Sequence, residues 1–91
     1  MDNRPALKVS YYDDGRMMAA YLNLPRVSGE KSARSKEIST HYVVDFAADG
    51  RAIGVEMLDP DHVTLESINR ILQQVGAEPI TESDLSPLKV A

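Results

Sequence analysis

The chain has 91 residues, a net charge of −4 and no cysteine. That length allows one domain with a thin core rather than two. The lack of cysteine removes disulfides, thiol catalysis and cysteine-based zinc sites from consideration.

Charge is unevenly spread along the chain. Residues 1–44 carry seven Lys/Arg against five Asp/Glu, and residues 45–91 carry three against nine. An acidic half repels phosphate backbones, so nucleic acid is not an expected partner, and a basic protein surface is the better complement. The opening, Met1 to Gly15, has no long apolar run. Neither a signal peptide nor a membrane span is therefore expected, and the cytoplasm is the expected compartment.

Leu7–Tyr12 alternates and is rich in β-formers, which predicts a first strand. Met17–Leu24 is predicted as its partner. Its alanines and methionines would suit a helix, but the short Asp14-Gly15 spacing favours a hairpin. Pro25 closes the strand. Arg26–Lys36 is polar, with Gly29 and three serines, and reads as a mobile loop. Its cations Arg26, Lys31, Arg34 and Lys36 could grip RNA or an acidic protein surface, but they lack the interleaved aromatics of a single-strand-binding platform, and a solvated loop is the plainer reading. Glu37–Phe46 is predicted as one long strand and Arg51–Leu58 as its partner. Thr64–Val75 is predicted as the one helix, with Thr64 as N-cap and Gly76 as a left-handed stop. Leu65, Ile68, Ile71, Leu72 and Val75 form its apolar stripe. The tail, residues 76–91, has two prolines and a short turn at Thr81–Leu85, and reads either as an arm laid over something or as partly disordered. No internal repeat of useful length is visible.

In the second hairpin, Asp49-Gly50 reads as a two-residue turn pairing Ala48 with Arg51. Counting outward places Phe46 against Ile53, Val44 against Val55 and Tyr42 against Met57, an apolar face throughout. The other face pairs His41 with Leu58, Val43 with Glu56 and Asp45 with Gly54. Asp45 and Glu56 become diagonal neighbours, and Gly54 leaves a hollow above Asp45.

These residues carry a family resemblance. Val44-Asp45-Phe46-Ala47-Ala48-Asp49-Gly50-Arg51, followed by Gly54-Val55-Glu56-Met57-Leu58-Asp59, resembles the signature of a small bacterial family, domain of unknown function 2283. Its pattern runs Asp-aromatic-Asp-x-Asp-Gly, two apolar residues, then Gly-Ile-Glu-apolar-Leu. Tyr11-Tyr12-Asp13 and Tyr21-Leu22 resemble the family's opening hairpin. The family's second acid is Ala47 here, and an acid expected before the Tyr21 segment falls near Met18. The resemblance covers about Val9 to Asp59. It implies a small sheet domain with no established activity, and an antitoxin-like role toward a small toxin.

The chemistry-bearing residues have plain readings beside them. Asp45 and Glu56 could act as acid and base or hold a cation, but antiparallel sheets commonly keep one face polar. His41 has no nucleophile paired to it. Asp59, Asp61 and His62 offer too few converging ligands for a metal site, and Thr64 stands where an EF-hand loop needs glycine. No catalytic residue, metal or cofactor is assigned. The sequence thus predicts one α+β domain over residues 1–91, with two consecutive antiparallel hairpins forming a four-stranded sheet over residues 7–58. One C-terminal helix, residues 64–75, packs on one face. The expected role is a non-enzymatic protein-interaction module that self-associates, a dimer being the first expectation, and has a protein partner such as a small toxin. The competing reading is a small-ligand binder or hydrolase, with Asp45, Gly54, Glu56 and His41 as its candidate binding residues.

Overall fold

The computed structural model describes residues 5–26 and 29–89, so Val27 and Ser28 of the predicted loop and the last two residues of the tail lie outside it. The strands are β1 (Ala6–Tyr11), β2 (Met17–Asn23), β3 (Arg34–Ser39), β4 (Tyr42–Phe46) and β5 (Ala52–Met57). A 3-10 turn at Pro60–His62, helix α1 (Leu65–Gln74) and a 3-10 segment at Glu82–Lys89 follow. The strands form one five-stranded antiparallel sheet in the order β1-β2-β5-β4-β3. This corrects the expected four-stranded sheet of two hairpins. The predicted long strand breaks at Thr40 and His41, and its front half joins the end of the predicted loop to make β3. Arg34–Ser39 is exposed at every position except Ile38, so it offers no apolar alternation to read. No helix among the described residues is long and apolar enough to cross a membrane.

The β1–β2 and β4–β5 hairpins are built alike, 35 residues apart in number. Tyr12 N donates to Arg16 O at 2.8 Å and Gly15 N to Tyr12 O at 3.0 Å; Ala47 N donates to Arg51 O at 2.8 Å and Gly50 N to Ala47 O at 2.9 Å. Each turn therefore has three residues ending in a left-handed glycine, Gly15 at φ +91° and Gly50 at φ +93°. The same arginine clasp closes both: Asp14 accepts from Arg16 N at 3.0 Å and Nε at 2.7 Å, and Asp49 from Arg51 N and Nε at the same distances. Each is followed by a register shift, between Ser10 and Tyr11 in one hairpin and between Asp45 and Phe46 in the other.

The longer turn and the bulge offset one another. Phe46 pairs with Ala52 rather than with Ile53, but beyond the bulge Asp45 meets Gly54, Val44 meets Val55 and Tyr42 meets Met57 as expected. Residues 9–25 and 44–60 share only Val, Asp, Gly, Arg and Pro at matching places, which is why the repeat is hard to see in the sequence. Tyr21 and Glu56 are matching positions, and they also pair with each other across β2 and β5. A pseudo-two-fold axis through the sheet passes between them.

One face of the sheet holds the core. Leu22, Val44, Val55 and Met57 have no exposed surface, and neither do Ile68 and Leu72 of α1, which pack in the same cluster. Burial of each such side chain is worth roughly 1.5–3 kcal/mol. Thr64 caps α1 by accepting from Ser67 N at 3.0 Å, while Ser67 Oγ accepts from Thr64 N at 3.0 Å, a reciprocal capping box. Gly76, at φ +75°, ends the helix as expected. The tail then packs back: Ile80 and Leu85 are buried in the core, and Asn69 holds Ile80 through its N–H at 2.8 Å and its C=O at 3.1 Å.

Candidate binding face of the sheet

Alternation places Asp45, Gly54 and Glu56 on the face away from α1. Lys8, Tyr21, Glu56, Val43 and Glu37 lie in one row across the five strands. Asn23, Gly54, Asp45 and Ser35 form the next. Asp45 therefore stands diagonally from Glu56, as the sequence predicts.

The space over Gly54 is filled. The Tyr21 ring leans across the glycine from β2, so that a Cβ there would overlap Tyr21 Oη and Cζ. Only glycine leaves the ring this path across β5. Tyr21 Oη donates to Asp45 Oδ2 at 2.7 Å, and Ser35 Oγ donates to Asp45 Oδ1 at 2.5 Å. One carboxylate thus collects two hydroxyls and ties β2, β4 and β3 together across β5. Such O–H···O⁻ bonds are short and stronger than neutral ones. Burial raises the Tyr21 phenol above its ordinary value, and donation to Asp45 raises it further.

The other candidates stand apart from this network. Glu56 is exposed beside Tyr21 and makes no side-chain hydrogen bond or ion pair among the described residues. His41 lies in the β3–β4 turn, where its C=O accepts from Leu58 N at 2.8 Å. At strand spacing it is roughly 13 Å from Asp45. His62 Nδ1 lies 2.7 Å from Asp59 Oδ2 at the entrance to α1, away from the sheet face. Sequence reasoning missed Tyr21 and Ser35. Gly54 signalled a close approach, but nothing local to β5 identifies the ring that makes it. A separate groove of about 700 Å³ lies at the sheet's end, lined by Leu24, Ala52, Val75 and the carboxylates Asp49, Glu78 and Asp84.

The face lies inside the stretch that comparison with known families singles out, residues 8–59, more than half of the chain. The chain belongs to the family described as protein of unknown function (DUF2283). The DUF2283 match runs from Lys8, within β1, through β5, so it contains all but the first two residues of the two hairpins and the whole Tyr21–Asp45–Ser35 network, and leaves α1 and the tail outside. No curated protein and no solved structure matches the chain.

Proposed function

We propose that the domain is a protein-interaction module whose binding surface is the face centred on Tyr21. The observation that carries this reading is the fixed Tyr21–Asp45–Ser35 network. A tyrosine whose ring is already held loses little freedom on binding, and tyrosine supplies both apolar area and a polar tip at interfaces. Around it, the carboxylates of Glu56, Glu37 and Asp45 outnumber the cations Lys8 and Arg26, the latter beside the Tyr21 hydroxyl and donating to Asn23 Oδ1, and this acidic excess favours a basic partner. An antitoxin-like role, holding a small toxin, is the finer form of this reading and follows from the family resemblance.

Affinity capture from the native host tests it. The wild-type domain should retain a specific partner, the E37K/E56K variant should lose it, and E66K on the exposed side of α1 should keep it. Recovery of the domain alone at every salt concentration, or equal capture by all three proteins, would sink the proposal.

A further inference from the structure

The repeat bears on what the outer edge of β1 does. On β4, backbone groups alternate between the two neighbours. His41 O accepts from Leu58 N, and Ala47 N donates to Arg51 O, both at 2.8 Å on the β5 side; Phe46 O accepts from Ala33 N at 2.8 Å on the β3 side. Tyr42, Val44 and Phe46 therefore direct their backbone groups toward β3. Their counterparts in the first hairpin are Leu7, Val9 and Tyr11. Tyr12 bonds Arg16 as Ala47 bonds Arg51, so the same parity turns Leu7, Val9 and Tyr11 away from β2. Among the described residues no strand lies on that side of β1, and no backbone partner meets those groups.

The side chains differ in the same way. Phe46 is 7% exposed, with the Arg34 guanidinium of β3 4.8 Å above its ring. Tyr11, its counterpart, is 51% exposed. The Glu82–Lys89 segment lies against β1, and the β1 edge is less charged than that of β3. Arg34, Lys36 and Glu37 charge the β3 edge, whereas β1 has Lys8 alone and no proline within it.

We infer that β1 pairs antiparallel with β1 of a second copy of this chain, about a two-fold axis at Val9. Opposed residues in an antiparallel ladder share a face, so only registers centred on a residue keep apolar against apolar. Centring on Val9 sets it against the partner's Val9, Leu7 against the partner's Tyr11, and Lys8 against the partner's Ser10. Centring on Lys8 would oppose two ammonium groups. Centring on Leu7 would bring Pro5, which has no N–H, into the ladder, and centring on Ser10 would run it into the turn at Tyr12. The strand is complementary to itself in one register, which favours a second copy over a foreign strand. This inference does not rest on the function proposed for the open face.

Sedimentation velocity over a range of protein concentrations tests it on the full chain. The wild type should dimerise reversibly. Ser10→Lys places a lysine against the partner's Lys8 at two symmetric points and should weaken the dimer about tenfold, while Ser10→Glu should tighten it by a similar factor. Lys36→Glu on β3 should change nothing, and circular dichroism should be the same for all four proteins. A monomer at every concentration, a dimer indifferent to both changes at Ser10, or one that responds to Lys36→Glu instead would overturn the inference.

Discussion

The β1–β2 and β4–β5 hairpins share a turn, an arginine clasp and a bulge, yet they differ in what their strands carry. The second has Asp45 and Gly54 where the first has Ser10 and Ala19, and Glu56 where the first has Tyr21. Its outer edge is paired by β3, and the first hairpin's is not. The common frame is therefore set by local turn chemistry, while the binding face arises from the differences. Tyr21 from one half reaches Asp45 in the other only because the position between them lacks a side chain.

The largest test of the common frame is in the core. Leu22 and Met57 are counterparts with no exposed surface, and each truncation to alanine should cost about 2–5 kcal/mol in chemical denaturation. A loss confined to one of them would break the equivalence of the halves. Next comes the difference itself. Gly54→Ala must displace the Tyr21 ring and should cost about 1–3 kcal/mol, whereas Ala19→Gly at the counterpart should cost only about 0.5–1 kcal/mol.

Tyr21→Phe should cost about 0.5–1.5 kcal/mol by removing one hydrogen bond. Tyr21 is raised in the folded state relative to 10.0, by burial and then by Asp45, so its contribution is complete below pH 10. It is lost as pH rises through the folded value, because the unfolded phenol ionises first. Denaturation midpoints should fall above about pH 10 in the wild type more than in the phenylalanine variant. The smallest effect returns to the turns. The Asp14 carboxyl is held below 3.8 by the Arg16 backbone N–H and then its side chain, and Asp49 by the Arg51 side chain and then its N–H. In an NMR titration both should titrate below an ordinary aspartate, and replacing either arginine with glutamine should release only its own neighbour.

How much of this was legible follows from where the information sits. The helix is set by residues within one stretch, Thr64 at its start and Gly76 at its end, and both act as read. The sequence also predicts the distal register of the second hairpin, although its turn has three residues rather than the two expected from Asp49-Gly50. The third turn residue and the bulge at Ile53 cancel beyond Asp45. Strand β3 escaped because an edge strand exposed on both sides needs no apolar period. Asp45 and Gly54 stand out as unusual within their own hairpin. Their partner, Tyr21, comes from β2, and no feature of either hairpin alone specifies that β2 lies against β5.

The clasp of Asn69 on Ile80 has a consequence for dynamics. Residues 77–81 belong to no helix or strand, and the Ile80 N–H is held by a side chain of α1 rather than by a regular ladder. Its hydrogen exchange therefore reports undocking of the tail, while amides in β4 and β5 report opening of the whole domain. A single protected amide gives the chain its own gauge of whether the end of the core is closed.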